Sequence, residues 1–456
     1  MTNEKYEQDI GGIIRDIISY GGSTFAALVA ASIYTMTDEY FIGNYVGRDG
    51  LGAMALVFPV TLIFTALGTL VEIGGSAVVS EMIGKGRRAE AEAVIRGNYL
   101  YVGVFAVVIA VAGNFLARPL LQSLSDSPDE WHIVGYAVSY LKIILWGMPF
   151  LLAGVLTQGF MRCIEKPRHV LYLIFTTSMT NVVLDALMMA VFGMGMEGAA
   201  LATFISQVLG AAISFWYFSF SGQRLGSPRK LCSPLVMWKE VKIGGGFALA
   251  EIMMFFTEFL QNGVILHYDA PQLLAAASIS NVILSFAYLP LSGLDTGTQP
   301  LVSRLFAEGR LRKCLRVMRF SFFLTMLLTC AVYLALMVFT WELTSFFLPE
   351  NETATEEMIL FLRYSFLLQP CVGLSTWACG VMAALEDEWR NVVINLVPVV
   401  VQVPCIYLLP TFLPIEAIAL NYSISDFGLA LVGVILLVPF LRMHGISLSG
   451  IFKDRA

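Results

Sequence analysis

Residues 51–86 read LGAMALVFPVTLIFTALGTLVEIGGSAVVSEMIGKG, and residues 274–309 read LAAASISNVILSFAYLPLSGLDTGTQPLVSRLFAEG. The two apolar stretches align without a gap at an offset of 223 residues. Shared positions include Leu51 with Leu274, Ala53 with Ala276, Gly74 with Gly297, Ser80 with Ser303, and Gly86 with Gly309. A second block, at an offset of 221, pairs Lys142 with Arg363, Pro149 with Pro370, Gly159 with Gly380, and Glu165 with Glu386. An internal duplication of this kind predicts two halves with the same fold.

The composition predicts a polytopic membrane protein. Of 456 residues, 57% are apolar and 14% are charged, and the mean hydropathy is +0.75, whereas an average soluble domain is about 25% charged. The net charge of −6 argues against a nucleic-acid partner. The polar start of the chain, MTNEKYEQDIGGIIRDI, lacks the features of a signal peptide, so we expect the first helix to remain in the mature protein.

Long apolar segments, each bounded by turn-forming or charged residues, predict twelve membrane spans. Since each half has six spans, both halves enter the bilayer from the same side, as in parallel repeats. We therefore expect an all-α protein in which two pseudo-symmetric six-helix bundles flank a central cavity. Its parts would be an N-lobe (1–221), a cytoplasmic linker (222–242) and a C-lobe (243–456). The predicted spans are 13–46, 51–83, 94–117, 133–162, 169–192, 197–221, 241–267, 272–306, 316–347, 357–385, 391–411 and 415–443.

The distribution of basic residues predicts the orientation in the membrane. One side of the membrane, made of the loops after the even-numbered spans, the span ends that adjoin them and both termini, holds all but four of the 28 Lys and Arg residues. The exceptions are Arg48 and Arg118 in opposite loops, and Lys142 and Arg363 inside spans 4 and 10. By the positive-inside rule, both termini face the cytoplasm, and we expect the protein to be multi-pass in the cell (plasma or inner) membrane.

Three aspartates lie in long apolar stretches: Asp38 in SIYTMTDEYFIGNYVG, Asp185 in TNVVLDALMMAVFGMG and Asp295 in YLPLSGLDTGTQPLVS. An ionisable side chain at membrane depth costs at least about 2.5–3.5 kcal/mol, so such residues mark ion, proton or substrate pathways. These carboxylates therefore predict a transporter.

Several motifs, in order along the chain, resemble the multidrug and toxic compound extrusion (MATE) transporters, in the form of the MepA-like branch. They are DEYFIGNYVGRDGLGAMAL (38–56), GGSAVVSEMIGKGRRAEAEAV (74–94), NVVLDALMMAVFGMGMEGAALATFIS (181–206) and DTGTQPLVSRLFAEGRLRKCLRV (295–317). One departure is the absence of a proline near the start of spans 1 and 7. These regions read SYGGSTFAA and IGGGFALAE, so any bending there would depend on glycine.

The resemblance implies a secondary multidrug antiporter that works by alternating access and exchanges hydrophobic or cationic compounds for protons or sodium. It implies a functional monomer without a cofactor, and a cation-coupling site in the N-lobe. That site carries over to Asp38, Asn181, Asp185 and Thr203. Sodium, if it is the coupling ion, would bind at Asp38, Asn181 and Asp185.

The residues themselves support such a site. Asn181 and Asp185 are four residues apart and share one helix face, and an amide oxygen beside a carboxylate suits a hard cation. Burial of two neighbouring carboxylates would alternatively favour binding of a proton. Glu39 is the competing ligand next to Asp38, because adjacent helical residues point about 100° apart. Tyr34, one turn before Asp38, is the aromatic residue that we expect in the substrate cavity.

Further acids lie in the second half. The repeat places Glu72 opposite Asp295, and Glu251 and Glu258 share one face of span 7. Glu258 and Asp295 are predicted to contact substrate or a second ion. For Glu251 and Glu72 a structural role is the alternative, and Asp426 has no assigned role. We interpret Lys142 and Arg363 as structural bases that either pair with an acid or reach the headgroups.

Two other classes of function compete with the antiporter. A flippase for lipids or lipid-linked oligosaccharides from the same wider superfamily would need a basic cavity, whereas the intramembrane charges here are mainly acidic. An intramembrane enzyme would need a catalytic constellation such as HExxH, which the sequence lacks. We therefore expect no enzymatic activity. The driving ion and the substrate are left open.

Overall fold

A computed structural model describes residues 10–123, 131–163, 167–220, 234–350, 352–384, 388–443 and 446. These residues form helices throughout, joined by short turns. The basic linker 222–242 predicted from the sequence lies outside the described residues up to position 233. From Pro234 onward it belongs to a long helix.

Fourteen α-helices are assigned in the described part of the chain. They are α1 (Ile10–Val46), α2 (Arg48–Gly84), α3 (Arg88–Gln122), α4 (Trp131–Cys163), α5 (Pro167–Asp185), α6 (Gly195–Phe220), α7 (Pro234–His267), α8 (Gln272–Ala307), α9 (Leu311–Val338), α10 (Thr340–Phe346), α11 (Glu356–Phe366), α12 (Gln369–Ala384), α13 (Glu388–Phe412) and α14 (Leu420–Met443). Each predicted span coincides with one helix or with two consecutive ones.

Four predicted spans are not single α-helices. Span 5 is α5 followed by a π-helical turn over Ala186–Val191, and span 9 divides into α9 and α10. Span 10 divides into α11 and α12, where Pro370 lies in the first turn of α12, a position at which its missing N–H costs nothing. Span 12 begins with a 3-10 turn, Ile415–Ala419, directly after Pro414.

The apolar helices confirm an all-α, multi-pass membrane protein. Within the described residues, nine helices or helix pairs are long and apolar enough to cross a bilayer, which takes about 20 residues.

Two compact units make up the structure. Unit N comprises Ala30–Val282 and Thr344–Met358. Unit C comprises the described residues of Met1–Val29, Ile283–Leu343 and Ile359–Ala456. Unit N has an apolar core that includes Val79, Leu156 and Phe160, and unit C has one that includes Val317, Met382 and Phe440. Helix α7, from the second half of the sequence, lies in unit N, while the start of α1 lies in unit C. The division of the chain into an N-lobe (1–221) and a C-lobe (243–456) remains a prediction.

The duplication is visible in the backbone of each unit at the ends of α2 and α8. Gly86 and Gly309, which the repeat pairs, both adopt positive φ, at +74° and +69°. In unit N the Gly86 amide donates to the Ile83 carbonyl at 2.9 Å, and in unit C the Gly309 amide donates to Phe306 at 3.0 Å. Glycine is favoured at both positions because a Cβ atom disfavours this conformation.

Candidate functional site: a buried acidic cluster in unit N

Asp38 lies in the interior of unit N, on α1. Its side chain is 5% exposed, and the Tyr140 hydroxyl from α4 donates a hydrogen bond to its Oδ2 at 3.4 Å. The other carboxylate oxygen, Oδ1, is buried without a hydrogen-bond partner among the described residues. The predicted first-helix acid is therefore held by a tyrosine and keeps one oxygen available.

Asn181 and Asp185 face the same interior from the end of α5. Asn181 is 1% exposed and Asp185 is 0% exposed. The Asn181 amide donates to the Thr203 hydroxyl of α6 at 3.1 Å. Asp185 is the last residue of α5, and the chain continues from it into the π-helical turn Ala186–Val191. Single π-turns occur frequently at functional sites, and this one follows the most deeply buried carboxylate of the cluster.

The cluster presents several buried oxygen atoms without partners among the described residues: Asp38 Oδ1, Asn181 Oδ1, and both oxygens of Asp185. Asp38 is close enough to Asp185 for the two charges to interact. Such oxygens suit a hard cation or a proton. No group of three or more His, Cys, Asp or Glu side chains converges as a metal site in the described structure.

Glu39 is also buried, at 6% exposure, but it has a different partner. The Ser278 hydroxyl of α8 donates to its Oε1 at 3.0 Å. At the positions related by the 223-residue offset, the Asn262 amide of α7 donates to the Ala55 carbonyl of α2 at 2.6 Å. Glu39 thus belongs to a pair of equivalent contacts that link α1 to α8 and α7 to α2 within unit N.

A cavity of about 550 Å³, a volume that includes space open to solvent, adjoins the cluster in unit N. Its lining includes Tyr34, Asn181, Thr203 and Gln207 together with apolar residues of α4 and α5. The Thr203 side chain lies beside the Tyr34 hydroxyl. Residues of the predicted cation site therefore also line the cavity, so an ion and a larger ligand would share contacts.

Asp295 and Glu72, which the repeat pairs, take equivalent positions in the two units. Asp295 lines a cavity of about 340 Å³ in unit C, and a Cβ atom on Gly380 would lie 2.0 Å from its Oδ1. Glu72 takes the corresponding place in unit N, where a Cβ atom on Gly159 would lie 2.9 Å from its Cγ. Gly159 and Gly380 are themselves repeat partners, so each unit places an acidic side chain against the equivalent glycine.

The remaining acids are Glu258, Glu251 and Asp426. Glu258 is buried in unit N at 6% exposure, and Glu251 on the same helix is half-buried. Asp426 on α14 is half-buried in unit C. The structure therefore separates Asp295 and Asp426 from the Asp38 cluster by unit.

Lys142 and Arg363 are both exposed at the surface of the protein. The structure gives neither of them an ion pair in the described residues. Of the two structural interpretations, this geometry favours side chains that extend toward the headgroups over bases that pair with a buried acid.

Sequence reasoning missed Tyr140 and Ser278, the hydrogen-bond partners of Asp38 and Glu39. Tyr140 lies in an ordinary apolar run, and no local pattern separates it from the other tyrosines. Ser278 lies in the repeat block, opposite Ala55, and the replacement of alanine by serine in an apolar helix was the available signal.

Comparison with known proteins gives one family and several relatives. The MatE family model matches residues 24–187 and 247–408. The multidrug export protein MepA of Staphylococcus aureus (strain bovine RF122 / ET3-1) is 24% identical over 422 residues, which cover 90% of each chain. The inward-facing structure of a multidrug resistance MATE family transporter superposes with a TM-score of 0.80 at 19% identity, covering 93% of this chain and 96% of the other. The structure of the MATE multidrug transporter DinF-BH gives 0.75 at 20% identity, covering 96% and 99%.

Proposed function

The chain belongs to the multidrug and toxic compound extrusion family, and on this premise we propose that it exports lipophilic cations in exchange for protons or sodium. Membership in this family makes it a multidrug efflux transporter and not an enzyme.

One observation carries the proposal: the buried oxygens of Asp38, Asn181 and Asp185 that have no hydrogen-bond partner in the described part of the chain. An ionised carboxylate without a partner is costly in a protein interior, and two neighbouring ones are costlier. A proton or a sodium ion would remove that cost. The cluster therefore favours binding of a small cation, and its unpaired oxygen atoms would be the ligands.

The neighbouring cavity accounts for exchange. Because Asn181 and Thr203 take part in both the cavity and the cluster, occupation of one alters the contacts available to the other. Two ligands that affect each other's affinity do so reciprocally. The bound ion would therefore weaken substrate binding by the same factor as bound substrate weakens ion binding. The phenol of Tyr34 also offers a cation–π contact to a cationic substrate.

Glu258 and Asp295 are proposed as additional contacts for substrate or for a second ion. Both are carboxylates on membrane helices, and Asp295 lines a cavity of its own. Glu251 and Glu72 are proposed as weaker candidates, since their half-buried positions also suit a structural role. These assignments are independent of the cluster around Asp38.

The charge distribution supports a location in the cell membrane with both termini in the cytoplasm. A flippase for lipid-linked substrates is the alternative function. Among the described residues, the cluster and the cavity beside it in unit N contain acids and neutral polar groups and no basic side chain, which disfavours a pyrophosphate ligand. A monomer is the expected functional form.

The test is efflux of a fluorescent lipophilic cation from reconstituted vesicles, with proton and sodium gradients imposed separately. Wild type is compared with Asp185→Asn and with the matched control Asp49→Asn. The control removes the same charge from a residue whose side chain is 50% exposed and paired with His132. We expect one gradient to drive efflux by wild type and the control, and Asp185→Asn to lose at least about tenfold, equivalent to about 1.4 kcal/mol.

Equal efflux by all three proteins under either gradient would contradict the role of Asp185. If wild type moved no cation tested, antiport of lipophilic cations would be wrong and the flippase would become the better hypothesis.

A further inference from the structure

A second buried carboxylate site lies in unit N where α7 crosses α2, apart from the Asp38 cluster. A Cβ atom on Gly74 would lie 2.3 Å from the Glu240 carbonyl oxygen, and one on Gly244 would lie 2.1 Å from the Leu70 carbonyl oxygen. The two helices therefore touch through their backbones. At this crossing the Glu240 side chain is 0% exposed.

Asn98 of α3 is the partner of Glu240 and is also 0% exposed. Its Nδ2 donates a hydrogen bond to Glu240 Oε1 at 3.2 Å. The remaining oxygens of the pair, Glu240 Oε2 and Asn98 Oδ1, are both buried without a partner among the described residues. A Cβ atom on Gly75 would lie 2.9 Å from Asn98 Nδ2, so α2 closes the site from the third side.

No basic side chain lies within ion-pair distance of Glu240 in the described structure. The charged residues on the three helices near the crossing have other contacts. Glu81 pairs with Lys85 and Lys239, Arg96 lies 3.7 Å from Glu92, and Lys242 lies over the Trp238 ring. Glu72 lies against Gly159. An ionised Glu240 would therefore hold a buried charge with one neutral amide as its partner, which is costly.

A proton on Oε2 would give both unpaired atoms, Glu240 Oε2 and Asn98 Oδ1, a hydrogen-bond partner. The neutral carboxyl group has one O–H donor and one carbonyl acceptor, while the amide has the complementary donor and acceptor. With the existing bond from Asn98 Nδ2 to Oε1, an O–H from Oε2 to Asn98 Oδ1 would close a ring of two hydrogen bonds. We propose that Glu240 and Asn98 form a proton-binding site in which Glu240 is held as a neutral carboxylic acid.

Helix packing alone does not require an acid at this position. In unit C the equivalent crossing joins the start of α1 to α8, where a Cβ atom on Gly297 would lie 2.5 Å from the Ile17 carbonyl oxygen. Ile17 and Glu240 are related by the same offset of 223 residues. The same backbone contact thus forms with an apolar side chain in one unit and with a carboxyl group in the other.

The residues on either side of Glu240 in the chain reach the protein surface. Lys239, the preceding residue, is 51% exposed in its ion pair with Glu81, on the side that the basic loops assign to the cytoplasm. The proton would therefore come from bulk water on that side. The site contains none of the residues of the Asp38 cluster, so the inference does not depend on the proposed antiport.

The test is infrared spectroscopy of the purified full chain in lipid nanodiscs, with the carboxyl stretching band followed as the pH is varied. Wild type is compared with Glu240→Gln and with the control Glu81→Gln, an exposed acid on α2. We expect Glu240→Gln to remove one protonated-carboxyl band that shifts in D₂O, and the control to leave that band unchanged. A glutamine can form the same two-bond ring with Asn98, so Glu240→Gln should also keep the wild-type Tm, whereas Glu240→Ala should lower it.

An unchanged band in Glu240→Gln would overturn the proposal. So would a Tm for Glu240→Gln as low as that for Glu240→Ala, because the neutral ring would then not form. A third result would also contradict it: the wild-type protein lacks the band, and sodium raises the Tm of wild type but not that of Glu240→Gln. That outcome would assign the site to a metal cation.

Discussion

At the scale of single residues, two adjacent acids have separate tasks. Asp38 and Glu39 follow each other on α1, so their side chains point about 100° apart. Asp38 accepts a hydrogen bond from Tyr140 of α4 and Glu39 accepts one from Ser278 of α8, and each keeps one buried oxygen without a partner among the described residues. They differ in that the contact equivalent to that of Glu39 is made by a neutral amide, that of Asn262. The first position suits a cation ligand and the second suits a link between helices.

This difference predicts unequal effects of two conservative substitutions. Asp38→Asn should reduce ion-driven efflux at least about tenfold, because it removes the charge that binds the ion. Glu39→Gln should stay within about twofold, since the glutamine oxygen still accepts the bond from Ser278 and the loss of one neutral contact is modest. Efflux from vesicles under the effective gradient measures both. Loss of activity in Glu39→Gln with retention in Asp38→Asn would reverse the assignment.

At the scale of helices, glycines set how closely α2 and α7 approach. Gly74 and Gly244 each lie where a Cβ atom would fall within 2.3 Å of a backbone oxygen of the other helix. A backbone atom cannot rotate away as a side chain does. Any larger residue must therefore move the helices apart and disturb both the crossing and the buried Glu240 beside it.

Gly74→Ala should consequently destabilise the protein by about 1–3 kcal/mol, the usual cost of overpacking. The matched control is Gly103→Ala on α3, where nothing lies within 4 Å of the added Cβ. That substitution should be neutral or stabilise by about 0.4–1 kcal/mol through the unfolded state. Thermal unfolding in detergent compares the two variants. Equal Tm values would mean that the crossing tolerates a side chain.

At the scale of the whole molecule, charge and repetition organise the chain. Basic residues gather in the loops after even-numbered spans, and the duplicated halves repeat the same turn at Gly86 and Gly309. The charge pattern reflects the alternation of loops between the two sides of the membrane, and the repeated turn follows from the duplication. An even number of predicted spans in each half returns the chain to the side on which it started. The orientation therefore applies to both termini together.

The prediction at this scale is that both termini lie on the cytoplasmic side. A fluorescent protein that matures only in the cytoplasm, fused to either end, should fluoresce in a bacterial host. A fusion within SLSDSPDEWH (123–132), in the loop after span 3, should not. Fluorescence from the loop fusion and none from the terminal fusions would invert the topology.

The sequence alone determined the class of protein, the spans, the repeat and the candidate acids. These properties follow from local rules: a span needs a long apolar run, orientation follows loop charge, and a costly intramembrane acid such as Asp38 or Asp185 indicates function. The MATE resemblance rested on motifs that are contiguous in the chain, which is why one sequence was sufficient to recognise it.

Which side chains meet depends on the tertiary fold. Tyr140 beside Asp38, Ser278 beside Glu39, and the ion pair of Arg48 with Glu352 join residues 102, 239 and 304 positions apart. No periodic pattern encodes such pairs, because they depend on how helices cross and on which backbones glycine lets approach. The same reason applies to Glu240. In the sequence it is one acid in a basic segment, and only the crossing of α2 and α7 shows that it is buried.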